Sequence, residues 1–323
     1  MSTLTLHGSR WVTVRQHRSA LRGGLALLIA ALVVVIGVRW WEAAAFDRAF
    51  CLEAADTERC STGPWGHMAA QETLRLTAQY GSVAMLLLPL LAAAFVAGPM
   101  VARELESGTW RLAWTQSVTP ARWLASKLSV AAAAIVFAAM ALLGIYRIIW
   151  SPVADSHNLT WADRGVFEGT GPVVVAYCLL AVAVGALVGQ LIRRTVPAMS
   201  AAGLVTGAVV MVLGSLRWHW LPVKTVLSPL AGEPPVASLP RNTFVTDTGR
   251  ISADGLRHPE HICWERTGDP EKCPADLNIT SQFADYHPYS HFWLTQLIET
   301  GIVLVLTAAA AYTAFRLLRS RHA

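Results

Sequence analysis

The chain has 323 residues, 54% of them hydrophobic and only 15% charged, with a mean hydropathy of +0.43. A water-soluble protein carries about a quarter charged residues, so this composition excludes an ordinary soluble domain and points to a membrane protein. The formal net charge of +5 would suit nucleic acid, but the basic residues cluster in short segments flanking apolar runs, which excludes that partner.

The N-terminal arm, "MSTLTLHGSRWVTVRQHRSALRGG", holds Arg10, Arg15, Arg18 and Arg22 and no acid. Arg15, Arg18 and Arg22 form an i, i+3, i+7 stripe suited to anionic headgroups. Residues 8–22 therefore read either as a helix lying on the membrane surface, with a weak apolar face from Trp11, Val14 and Leu21, or as a solvated basic arm. The apolar run that follows is too long for a cleavable signal and ends in Trp40-Trp41, so it is read as a retained span. A helix needs roughly 20 apolar residues to cross about 30 Å of hydrocarbon. Six stretches qualify: 24–40, 80–102, 128–149, 171–192, 197–216 and 292–317. Backbone amides in lipid need partners within their own segment, so each is expected to be a helix. Trp40, Trp41, Tyr80, Trp150, Trp218, Trp220, Tyr286, Tyr289 and Trp293 fall near the ends, as interfacial aromatics do. The expected fold is an all-α polytopic bundle of six transmembrane helices in a single domain.

Orientation follows from the short flanks. The N-terminal arm, the 103–127 connection, the Arg193-Arg194 turn and the tail with Arg316, Arg319 and Arg321 fall on one side. Together they hold thirteen basic residues against two acidic ones. Basic flanks stay in the cytoplasm, so both termini are expected inside, in a multi-pass plasma-membrane protein. The dominance of Arg over Lys, which occurs only at 127, 224 and 272, hints at a GC-rich bacterial, actinobacterial source. Cys51 and Cys60 lie in the first outer loop, and Cys263 and Cys273 in the last. Four cysteines on the oxidising side suggest Cys51–Cys60 and Cys263–Cys273, one of three connectivities open to them. The last outer loop, 217–291, is proline-rich and too long to be an empty connection. Within it, "TVLSPLAG" and "SQFADYHPYSHFW" are expected to dip toward the membrane surface.

The connection "GPMVARELESGTWRLAWTQSVTPARWLASK" (98–127) is far longer than a turn requires. Gly108 reads as a helix stop, and Thr119-Pro120 as the cap and first position of the next helix. "TWRLAWTQS" between them is long enough for one short surface helix, with Trp110 and Trp114 four apart on one face. These residues resemble the permease subunits of type-2 ABC transporters, in which a span is followed by an "ARE-x-E-x-GT" sequence and a basic segment. Here the match is Ala102-Arg103-Glu104, Glu106 and Gly108-Thr109. The six-span layout and the large loop before the last span fit as well. The resemblance implies a cytoplasmic coupling helix docked on a separate ABC ATPase subunit, with Arg103, Glu104, Glu106, Gly108, Thr109, Trp110, Arg111 and Trp114 at that interface. It also implies an elbow helix in the N-terminal arm and a second permease subunit, in a homo- or heterodimer.

Other chemistry is not supported. The chain contains no "GxxxxGK[ST]" phosphate cradle, so ATP and Mg would bind the partner ATPase and this chain would hold no cofactor. It contains no "HExxH" or "GxSxG" either. His258, His261 and Cys263 fall short of the convergent ligands a metal site needs, and Cys273 is better explained as a disulfide partner. Glu299 is the one acid placed inside a span, where charge is costly and functional. With Gln296 and Thr295 it either lines a translocation route or pairs outward with Arg147. Gly185/Gly189 and Gly203/Gly207 give two close-packing spacings, for intrachain contact or a dimer seam, and Pro89 and Pro99 are expected to kink the second span. The reading is the membrane subunit of an ATP-driven exporter of a hydrophobic or amphipathic substrate. The alternative is a membrane-anchored receptor or sensor that binds through its disulfide-bonded loop.

Overall fold

A computed structural model of the chain describes residues 18–49, 66–111, 119–154, 159–230, 232, 234–240, 242–269 and 272–322. Its helices are α1 (Arg18–Ala49), α2 (His67–Ser107), α3 (Pro120–Trp150), α4 (Val166–Thr170), α5 (Val173–Ile192), α6 (Thr195–Leu216), α7 (Ile262–Thr267) and α8 (His291–His322). The strands are β1 (Lys224–Pro229), β2 (Phe244–Ser252), β3 (Arg257–Pro259) and β4 (Ile279–His287). Six of the helices are long and apolar enough to cross a membrane; five contain an expected span whole, and α5 covers all of 171–192 but its first two residues, Gly171 and Pro172. Several run past their apolar core because polar flanks continue the helix with local ion pairs. Arg39 meets Glu42 at 2.7 Å on α1, and Arg75 meets Glu72 at 2.6 Å on α2. The reading of residues 8–22 and of the Cys51–Cys60 pair lies outside the described residues.

The chain divides into two compact units. The helical unit draws on Met1–Val153, Arg164–Arg217 and Gln296–Ala323. Its centre is α5, whose apolar stretch is 83% buried, against 6–39% for the other five spans. Those five turn large apolar side chains such as Leu27, Phe137, Leu204, Met211 and Val305 outward. That is the inverse of a soluble core, and it is what a lipid surround requires. Residues Ala92–Ala97 of α2 form a π-helical stretch, and the Gly98 amide donates to the Ala93 carbonyl five residues back. Pro89 and Pro99 bracket it, each lacking the amide that a regular helix uses. All four spaced glycines pack onto this part of α2. Gly185 meets Ala97, Gly189 meets Val101 and Ala102, Gly203 meets Ala94 and Gly207 meets Leu90. Backbones that approach this closely leave no room for a Cβ at Gly185, and the spacings serve intrachain packing.

The second unit comprises Ala154–Asp163 and Trp218–Thr295, and it corrects the all-α expectation. It holds an antiparallel sheet of order β1-β4-β2-β3. The two segments expected to dip toward the membrane are instead its neighbouring strands, with "TVLSP" in β1 and "SQFADYH" in β4. Backbone pairing satisfies the amides that a surface-dipping loop would leave to water. The Cys263–Cys273 disulfide is formed, so Cys263 is unavailable as a metal ligand. Trp161, fully buried, anchors an aromatic core with Trp218 (5.6 Å), Phe292 (5.8 Å) and Tyr289 (6.1 Å), and its indole donates to the Asn242 carbonyl at 2.8 Å.

His287 is buried in this unit beside Trp218 and stacked on Phe244, with its Nδ1 3.0 Å from that of His291. Burial, and next the charge of His291, hold its imidazole below the usual value. The folded state therefore binds fewer protons than the unfolded one as pH falls. Its contribution is complete above about pH 6.5, the unfolded value, and is lost below it. Thermal unfolding followed by tryptophan fluorescence should show this unit losing stability between pH 7 and 5, by less than about 1.4 kcal/mol per pH unit. A His287→Phe variant should flatten that slope.

Candidate functional site

The first candidate is the end of the helical unit that carries the 103–127 connection. Helix α2 stops at Gly108, whose φ of 73° and ψ of 3° give the left-handed cap that glycine adopts without strain. One turn begins directly after it. The Arg111 amide donates to the Gly108 carbonyl at 3.1 Å, the Ser107 and Thr109 hydroxyls lie 3.0 Å apart, and the Arg111 guanidinium sits 5.5 Å over the Trp110 ring. Helix α3 opens as its local sequence requires: Thr119 accepts from the Arg122 amide at 3.3 Å, and Pro120 occupies the first position. Trp114 and the rest of the expected surface helix lie outside the described residues.

Two glutamates tie this end together. Glu104 accepts from Lys127 Nζ at 2.5 Å and from Trp123 Nε1 at 3.1 Å, joining the end of α2 to the start of α3. Lys127 and Trp123 are both buried, and the ammonium also lies 5.5 Å from the Trp123 ring. Glu106 accepts from both the amide (2.8 Å) and the hydroxyl of Thr195. It therefore supplies, from a different helix, the acceptor and negative charge that the N-terminus of α6 needs. The two acids expected at a partner interface thus also tie helices together within the chain, Glu104 through both carboxylate oxygens and the exposed Glu106 through Oε2. Arg103, Thr109 and Arg111 are exposed and Trp110 is half-buried.

The second candidate lies at the opposite ends of the same helices. The sequence reading began the outer loop at Arg217, yet Arg217 extends α6 by a 3-10 turn and its side chain is 1% exposed. Burying a guanidinium without counter-charge costs several kcal/mol, and two carboxylates answer it. Glu299 of α8, itself fully buried, accepts from Arg217 Nε at 2.7 Å and Nη2 at 2.8 Å. Glu168 of α4 accepts from Nη2 at 2.6 Å. Tyr177 of α5 donates to Glu299 at 2.5 Å, and the Phe167 ring lies 3.7 Å from the guanidinium carbon. Gln296 donates to the Phe167 carbonyl at 2.6 Å and accepts from the Val173 amide at 3.3 Å. Glu299 and Gln296 are brought together here, and Thr295 is buried one residue before Gln296. Arg147, the partner weighed for Glu299, instead donates to the Thr170 carbonyl. The missed residues are Glu168, Tyr177 and Arg217. The one signal available was a set of charges of complementary sign at the edges of three apolar runs.

The family model described as ABC-2 membrane transporter related matches residues 22–218. The match spans α1 to α6, both charge clusters except Glu299 and Gln296, and the whole 103–127 connection. None of the curated proteins matches the chain.

Substitutions should separate the two ends by magnitude. Arg217→Met strands two buried carboxylates and should cost about 3–5 kcal/mol. Combining it with Glu299→Gln should cost less than the two single losses together, by more than about 0.5 kcal/mol, because the groups share one network. Glu104→Gln keeps an acceptor for Trp123 but removes the charge facing Lys127, and should cost about 1.5–3 kcal/mol. Thermal unfolding in lipid–detergent micelles reads all three.

Proposed function

The chain belongs to the ABC-2 membrane transporter related family, and from that premise we propose that it is the permease half of an ATP-driven exporter. Family membership makes it a multi-pass membrane subunit that works with an ATPase subunit. The finer reading places both termini and the 103–127 connection in the cytoplasm of a bacterial cell. ATP and Mg bind the ATPase, and a second permease subunit completes the transporter. A hydrophobic or amphipathic substrate crosses by alternating access.

The observation that supports this reading most directly is the pair of glutamate ties. A load applied at the Trp110 turn reaches α2 by chain continuity, α3 through Glu104 with Lys127 and Trp123, and α6 through Glu106 with Thr195. One contact on a short turn is thereby delivered to three membrane helices, which is what a nucleotide-driven motor needs to grip. Exposed Arg103, Thr109 and Arg111, with the half-buried Trp110, form the contact face. A basic rim around one aromatic fits the anchor-and-rim pattern of protein interfaces. The alternative, a receptor or sensor, is favoured by one fact: the disulfide-bonded sheet unit from His219 onward lies outside the family match.

Purification from the native membrane should bring down an ATPase with a phosphate-binding loop. Trp110→Ala combined with Arg111→Glu should weaken its retention at least tenfold, about 1.4 kcal/mol, with thermal stability unchanged. Equal retention by the variant would remove the linker from the interface. Co-elution of a kinase or regulator in place of an ATPase would favour the sensor.

A further inference from the structure

We propose that His287 and His291 form a proton-operated latch across the turn that joins β4 to α8, closed while a single Nδ1 proton lies between the two rings and released when both imidazoles are charged. The inference stays within the sheet unit and does not rest on the transporter reading.

Strand β4 ends at His287 and α8 starts at His291, with Pro288, Tyr289 and Ser290 between them. Two backbone bonds close this turn. The His291 amide donates to the Pro288 carbonyl at 2.9 Å, and the Phe292 amide to the Tyr289 carbonyl at 3.0 Å. The two imidazoles bridge its ends, Nδ1 to Nδ1 at 3.0 Å, with ring centroids 5.3 Å apart. Two ring nitrogens at that distance hold together only when one carries a proton and the other offers its lone pair. The neutral pair meets this condition. So does the pair with one added proton, whose imidazolium still donates to a neutral neighbour. A second added proton leaves two N–H groups facing each other and two like charges in contact.

The groups packed around the pair do not answer that second charge. His287 is 2% exposed and lies against the Trp218 ring, from the 3-10 turn after α6, and the Phe244 ring of β2, neither of which ionises. His219, beside Trp218, is exposed. From β1 comes a further cation, Lys224, paired with Tyr286 next to His287. On β4 itself the Asp285 carboxylate is engaged by Thr225 and by Arg257, the latter at 2.6 Å. Asp247 of β2, opposite Asp285, is exposed. Residues Phe292 to Thr295, which complete the first turn of α8, carry no charge. Burial, and next the charge of His291, already hold the His287 imidazole below its usual value. His287 is enclosed, whereas His291 is half-buried and can turn its ring to water. Release therefore falls on His291, and the turn loses its side-chain bridge. Because the released state takes up one proton more, its population should grow about tenfold per pH unit below about pH 6.

Hydrogen exchange of the full chain in nanodiscs, corrected for the intrinsic effect of pH on the exchange rate, reads the latch through peptides covering residues 289–294. In the unmodified chain the protection of these amides should fall at least tenfold between about pH 7 and pH 5. The mid-strand amides of Phe283 and Ala284 on β4 should keep theirs. His291→Gln retains an N–H donor for His287 but cannot become a cation. Its protection should stay level over the same range, whether high or low. An unmodified turn whose protection is level across that range overturns the latch. So does a His291→Gln turn that loses protection as steeply as the unmodified one.

Discussion

A guanidinium sunk among membrane-spanning helices must bring its counter-charges with it, and the arrangement around Arg217 follows from that requirement. The cost of removing a charge from water exceeds what one ion pair returns unless every polar atom is matched. Here one carboxylate comes from α8 and another from α4, and the tyrosine of α5 fills an acceptor site on Glu299. The demand for matched partners explains why a five-residue helix exists at all between α3 and α5. It carries Glu168 to within 2.6 Å of the guanidinium. It also explains Gln296, which satisfies the backbone that a helix break at Gly171-Pro172 leaves open.

The opposite end of the bundle uses charge differently. Glu106 is solvent-exposed, so its bonds are individually modest, whereas Glu104 is partly buried and faces the buried ammonium of Lys127; the value of both lies in what they connect. Glu106 joins the end of α2 to the first turn of α6, where a helix N-terminus offers free amides, and Glu104 joins it to α3, where the buried ammonium of Lys127, about two turns in, needs an anion. Buried, redundant contacts thus hold one end of the bundle, and fewer, directed ones hold the other.

The sequence was legible wherever a signal is local. Span existence follows from apolar length, the helix stop at Gly108 from its backbone freedom, and the start at Thr119-Pro120 from capping chemistry. The Cys263–Cys273 bond joins residues ten apart and follows from compartment and proximity. Partners far apart in the chain were not legible: Glu104 and Lys127 are separated by 23 residues, Arg217 and Glu299 by 82, and Glu106 and Thr195 by 89. Glu299 stood out because a lone acid in an apolar run is rare, yet nothing local distinguished Arg217 from Arg147 as its partner. The sheet escaped notice for another reason. Strand β1 ends in proline, and β4 mixes polar and aromatic residues without clean alternation, so neither shows the period-two pattern that announces a half-buried strand.

Between the two charge clusters, α2 departs from regular α-helical geometry. That helix runs past both clusters, contacting α4 through Ser82 and Met85 and ending at Glu104 and Glu106. A regular helix would carry a displacement at Ser107 straight to Ser82, on which Gly165 packs. The π-helical stretch at Ala92–Ala97 interrupts that transmission, since its hydrogen bonds reach five residues back and Pro89 and Pro99 withhold two amides beside it. The small residues Ala94 and Ala97 face Gly203 and Gly185, which lets α5 and α6 pack closely on this stretch. The irregular hydrogen-bond register of α2 thus lies between the two charge clusters.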